Sequence, residues 1–270
     1  FLYVGPGFRA IAQDGNIIQS RSYTDQCQQI GMEAFNEDFV MQKCESICRE
    51  AIELLNADEC PTEKMDLVLH SDQMLLQIHE SIGHALEVDR ILGDERNYAG
   101  WSFVNLEDFG KLRYGSDLMN ITFDPTIKEE FASYGFDDTG NKANKEFIIK
   151  EGILQRGLGG LESQERANIE GVANVRACSW NRAPIDRMAN LNLEPGDSSF
   201  DEMISSVKKG IFMQTNRSWS IDDFRNKFQF GCEYAQLIED GKITKTVKNP
   251  NYRAISTPFW NSLKKVGNMD

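Results

Sequence analysis

"LLQIHESIGHALEVDR", Leu75 to Arg90, decides how the rest of this chain is read. It holds two of the three histidines and places Glu80 directly after His79. Upstream, Ser71 or Asp72 can cap a helix running from about Gln73 into "HESIGH", because a side-chain oxygen there satisfies free backbone N–H groups. Met74, Leu75, Ile78 and Ile82 are its expected buried side. The common zinc-protease string sets its histidines four residues apart, whereas His79 and His84 are five apart. On a regular helix, residues four apart differ in direction by about 40° and residues five apart by roughly 140°. Both rings reach one ion only if the helix bulges by a residue or ends just before His84. Gly83 permits either, since glycine tolerates backbone conformations that other residues avoid. Bulges of the π type also concentrate at functional sites.

The residue types suit metal-assisted hydrolysis. Such a site needs neutral imidazoles, an open coordination position and a base near the attacking water. Glu80 is placed to be that base. The same string also fits a plain helix with one exposed histidine, one capping histidine and a solvated Glu80. A third ligand is not fixed by spacing. Glu87 and Asp89 are close in sequence, and Cys178, Cys232 and His70 are distant candidates. Glu87 and Asp89 could instead accept hydrogen bonds from the imidazole N–H groups and orient the rings.

Working outward, residues 1–22 read as extended, with "QDGN" as a hairpin turn. From Asp25 to about Asn56 the apolar spacing is helical, with Val40, Cys44, Ile47, Cys48, Ala51 and Leu55 on one stripe. Pro61 lies beyond its end, and "MDLVLH" (Met65–His70) is a short strand. After Arg90, "IIKEGIL" (Ile148–Leu154) and "LIEDGKIT" (Leu237–Thr244) read as strand pairs about tight turns. "SFDEMISSVKKGIF" (Ser199–Phe212) is a compact helix, capped by Ser199 and ended by Gly210. "FQFGCEYAQLIE" alternates as a strand. Strands and a few helices follow no regular alternation. The expected fold class is therefore α+β, mostly antiparallel sheet, with the histidine motif on a helix.

The bulk numbers restrict function further. The 270 residues carry 29 basic and 42 acidic side chains, net −13. That balance opposes direct nucleic-acid binding, which depends on neutralising phosphates. No run approaches the ~18 apolar residues of a membrane span. Six scattered cysteines read as reduced thiols of a cytoplasmic protein. "FDD" (Phe136–Asp138) reads as an acidic turn. Arg187 in "PIDRM" fits either a structural ion pair or a group holding a substrate carboxylate or phosphate. No Gly-rich phosphate loop is present, and Ser179 and Ser198 have no partner suggesting a serine hydrolase.

"HESIGHALEVDR" resembles the HExxxH signature of the TldD/PmbA family, also called the modulator of DNA gyrase family. "GKLRYGSDLMNITFDPT", "SYGFDDTGNKANKEFIIKEGIL", "RACSWNRAPIDRMANLNLEPGDSSFDEMI" and "FQFGCEYAQLIEDGKIT" resemble its later blocks in the same order. The resemblance implies a metallopeptidase domain over residues 1–270, a fragment without the family's N-terminal region. It implies a zinc-dependent peptidase acting on short or unfolded peptides. His79 and His84 would bind zinc and Glu80 would activate water. The family's third ligand is a cysteine in a block expected to follow "KKVGNMD", so Cys232 is not equated with it. The implied assembly is a homodimer, or a heterodimer with a PmbA/TldE-type subunit. Two further readings are a non-catalytic regulatory or binding subunit and a purely structural zinc site.

Overall fold

The computed structural model describes residues 2–24, 27–34 and 36–269. The chain divides into two compact units. The first comprises residues 1–76, 198–219 and 229–252, and the second residues 77–197, 220–228 and 253–270.

In the first unit, strands Gly7–Asp14 and Ile17–Thr24 form an antiparallel hairpin closed at Gly15 and Asn16. The helix Glu37–Asn56 follows, capped by Asn36, whose side chain accepts from the Phe39 N–H at 3.0 Å. The helical spacing from Asp25 thus overextends the helix at its start. Met32–Ala34 is a short 3-10 turn, and Asp25 lies outside the described residues. Ile47, Ala51 and Leu54 form its buried stripe. Arg21 links hairpin, helix and sheet, with Nε donating to Glu50 at 2.6 Å and Nη1 to Thr215 at 2.5 Å.

The main sheet runs in the order Asp58–Glu59, Lys242–Lys248, Lys227–Glu239, Lys209–Ile221, Asp66–Leu69, with Asn251–Ile255 also paired to Lys227–Glu239. Its short outer strands, Asp58–Glu59 and Asp66–Leu69, pair in parallel with their neighbours. Ile211, Met213, Cys232, Ala235 and Val247 pack on one side, and Ile204, Val207, Phe212 and Ile238 form a second cluster. The helix predicted after Ser199 is shorter than the sequence implies. It spans Phe200–Ser205 with a complete capping box between Ser199 and Glu202. Gly210 is inside the strand Lys209–Ile221, where a Cβ would lie 2.7 Å from the Asp66 carbonyl oxygen. Its role is close strand approach, not helix termination.

The second unit contains an antiparallel sheet in the order Leu191–Leu193, Ile121–Phe123, Glu146–Lys150, Ile153–Leu154. Ile121, Phe123, Ile148, Ile149 and Leu154 are completely buried. The Glu151–Gly152 turn joins the last two strands. Gly152 has φ +76°, and a Cβ there would lie 2.2 Å from the Gly115 carbonyl oxygen. This contact lets the Gly152 carbonyl accept from the Tyr114 N–H at 2.7 Å and holds Tyr114 in the core. The fold is α+β with mostly antiparallel pairing, and the histidine motif lies in a helical segment.

Candidate metal centre

The helix Ser71–Ile78 does not continue regularly through the motif. It opens into a π turn over His79–Gly83, tightens into a 3-10 turn over His84–Leu86, and becomes extended at Glu87. The His84 N–H bonds to the His79 carbonyl, five residues back. That bond inserts the one-residue bulge that a five-residue histidine spacing requires. The two rings face each other with centroids 4.6 Å apart and planes at 85°. One ligand atom from each of His79, Glu80 and His84 lies within 4.8 Å of the others. Leu75, expected on the buried side, is half-exposed; Gln73 and Gln77 are buried, with Ile78 and Ile82. Leu75 lies in the regular helix ahead of the bulge, where Gln73 and Gln77 take the buried face in its place.

The bulge leaves backbone groups without regular helical partners, and side chains supply them. The buried Tyr114 hydroxyl donates to the Ser81 carbonyl oxygen. The Ser81 hydroxyl donates to the Gln77 carbonyl at 2.6 Å, and accepts from Gln77 Nε2 and Trp260 Nε1, both at 2.9 Å. Gly83 contributes space, not an unusual dihedral. Its φ is −53°, and a Cβ there would lie 1.8 Å from Met188 Sδ. The segment after Arg187 therefore packs directly against the bulge.

Charges around the rings are arranged in two groups. Glu87, 1% exposed, accepts on Oε2 from His84 Nδ1 at 2.9 Å and from Arg90 Nη2 at 3.0 Å. Its Oε1 lies 3.6 Å from Arg187 Nη1 and receives no hydrogen bond. Burial pushes the Glu87 carboxyl up, but the His84 hydrogen bond and the Arg90 and Arg187 charges outweigh it and hold it below its ordinary value. With Nδ1–H donated to Glu87, the Nε2 lone pair of His84 is free for a metal. Glu80 is buried and pairs through Oε2 with Arg225 Nη1 at 3.0 Å; Arg225 Nη2 also donates to the Ala99 carbonyl. His79 keeps an exposed face, yet it is held below the ordinary imidazole value, first by partial loss of solvent around the ring and then by the neighbouring His84. Both effects favour the neutral ring that a metal ligand needs.

A family model described as the PmbA/TldA metallopeptidase C-terminal domain matches residues 62–269. The chain belongs to the TldD/PmbA metallopeptidase family. A metalloprotease of Methanocaldococcus jannaschii is 35% identical over 219 residues, covering 81% of this chain and 46% of that protein. A zinc metalloprotease TldD homologue of Saccharolobus solfataricus is 25% identical over 172 residues, covering 63% of this chain and 36% of that one. A crystal structure from Thermotoga maritima, described as a modulator of a DNA gyrase, matches in fold with a TM-score of 0.78 at 19% identity, covering 98% of this chain and 57% of that one. The chain spans about half the length of the curated relatives it matches. Among the described residues, no helix is long and apolar enough to cross a membrane.

Within this family member, the donor set fits a divalent metal. Two imidazoles converge, one with its tautomer fixed, and a carboxylate adjoins them. None of the other ligand candidates joins this group among the described residues. Glu87 supports His84 from behind. Asp89 accepts from the N–H groups of Arg90 and Asp186, while its own N–H donates to Asp186 Oδ2. Cys178 is exposed. Cys232 belongs to the first unit's core, where burial pushes its thiol up. His70 pairs with Asp72 at 2.8 Å in the first unit. The "FDD" segment is a turn as expected, with Asp137 Oδ1 accepting from the N–H groups of Thr139 and Asn141. Sequence reasoning missed Arg225, Tyr114 and Trp260. Each lies far along the chain from the motif and carries no local pattern that points back to it.

Proposed function

We propose that this chain supplies the catalytic domain of a zinc peptidase acting on short or unfolded peptides. The observation that supports it is the convergence of His79 and His84 across the π turn beside the carboxylate of Glu80. Zinc held by the two imidazoles would polarise the scissile carbonyl and make water more acidic. His84 is fixed by Glu87, so its metal-facing nitrogen needs little reorganisation. Glu80 takes a proton as the water oxygen bonds to the carbonyl carbon, and delivers it to the amine nitrogen as the C–N bond breaks. Arg225 holds the Glu80 carboxylate in one orientation and occupies one of its oxygens. Unfolded chains suit such a site, because a folded substrate would have to open before its backbone reached a carboxylate that is itself buried.

The test is Glu80→Gln in the zinc-loaded protein. Zinc content is expected to stay at one ion per chain, while cleavage of an unstructured peptide falls by at least ~100-fold, the usual size of a lost general base. Cleavage at the unaltered rate would remove Glu80 from this role.

A further inference from the structure

Arg187 stands apart from the other cations around the histidines. Arg90 is 1% exposed and is used up by Glu87 and the Ala99 carbonyl. Arg225 is used by Glu80 and Ala99. The Arg187 guanidinium is about one-third exposed and donates no hydrogen bond among the described residues. Its one charge partner, Glu87, sits 3.6 Å away, beyond hydrogen-bond reach, and is already neutralised by Arg90. Its backbone is nevertheless fixed, by the Arg187 N–H bond to the Asn174 carbonyl and by Met188 against Gly83. Neighbouring Asp186 turns its carboxylate inward, accepting from the N–H groups of Gly160 and Asp89 and from the Ser163 hydroxyl. The result is a planar donor fork on a rigid mount, partly open to solvent, next to the support of His84.

We propose that Arg187 binds the free α-carboxylate of the peptide substrate, so that cleavage is directed to the C-terminal end of short peptides. This rests on the peptidase reading above and adds its substrate class. A guanidinium offers two parallel N–H donors that match a carboxylate, and its charge strengthens both bonds. The path from Arg187 through Glu87 and His84 to an ion on Nε2 is at most about 13 Å, and the hydrogen bond to the carboxylate and the reach from ion to carbonyl add about 3 Å each, so the anchored carboxylate lies no more than about six extended residues from the scissile bond. A carboxy-terminal amide, being neutral, gains little from the same fork.

The experiment compares a hexapeptide with uncharged side chains, as the free acid and as the C-terminal amide. Binding is measured by calorimetry on the metal-free protein, and kcat and KM on the zinc-loaded protein. The free acid is expected to bind about 10- to 100-fold more tightly than the amide. Arg187→Gln should abolish that preference by weakening the acid alone, raising KM with little change in kcat and leaving zinc affinity within threefold. Arg187→Lys keeps a charge beside Glu87 but loses the fork. It should retain part of the preference, and it serves where the Gln variant does not fold. Equal binding of acid and amide by the native protein would overturn the proposal, as would binding of neither. Equal loss of both ligands in the variants would assign Arg187 to structure alone. A native preference for the acid, abolished by Arg187→Gln, without cleavage of either peptide by the zinc-loaded protein, would retain the carboxylate site and refute the peptidase reading.

Discussion

Replacing Glu87 by Gln removes one charge at nearly constant volume, and the structure predicts a large response. Glu87 is 1% exposed and holds Arg90, itself 1% exposed, through Nη2 at 3.0 Å and Nε at 3.3 Å. It also accepts from His84 Nδ1 at 2.9 Å. Glutamine can offer one carbonyl oxygen to these donors, but its NH₂ group then faces another donor. Breaking a buried ion pair from one side typically costs about 3–5 kcal/mol, because the remaining charge is uncompensated. Loss of the carboxylate behind a ligating histidine typically lowers metal affinity about 10- to 100-fold. Urea unfolding followed by tryptophan fluorescence, and zinc competition with a chelator, measure the two effects separately. The fold holds the Glu87 carboxyl below its ordinary value, so its contribution is present above the unfolded carboxylate pKa. It is lost as pH falls through the folded value, and the difference between wild type and variant should close in acid. A stability change under 1 kcal/mol at neutral pH, with zinc affinity unchanged within threefold, would refute the reasoning.

Asp89 makes the opposite pH prediction. Burial, then the nearby Asp186 and Glu87 charges, raise its pKa from 3.8 to about 7. The folded state therefore binds more protons than the unfolded state across that window, and this group's contribution declines as pH rises through it, at up to about 1.4 kcal/mol per pH unit. Urea midpoints between pH 5 and 7.5 should show Asp89→Asn gaining on the wild type as pH rises; parallel profiles would contradict it. Tyr114→Phe removes the hydroxyl that donates to the Ser81 carbonyl and leaves a buried acceptor unpaired. Stability should fall by about 1–3 kcal/mol, with weaker zinc binding because the π turn loosens; an unchanged chelator titration would separate that carbonyl from the site.

The motif could be read because its chemistry is local. Two histidines and a glutamate within six residues can meet across a single turn, and spacing alone required a bulge or a break. The bulge is present at His79–Gly83. The reason given for Gly83 was incomplete, since its dihedral is ordinary and the contact with Met188 is what excludes a side chain. That contact joins residues 105 positions apart, which no local pattern records. Arg225 and Trp260 escaped notice for the same reason. The strand pairs around Glu151–Gly152 and Asp240–Gly241 were legible because turn residues and strand residues alternate within a few positions. Gly210 misled because a glycine after a short helix usually ends it, while here the parallel approach of Asp66 requires it.

Anomalous scattering at the zinc absorption edge, in crystals grown with zinc, bears most directly on the account. It predicts one peak bonded at about 2.0–2.1 Å to a nitrogen of each of His79 and His84. Zinc bound only elsewhere, or no peak between the rings in protein saturated with the ion, would contradict it.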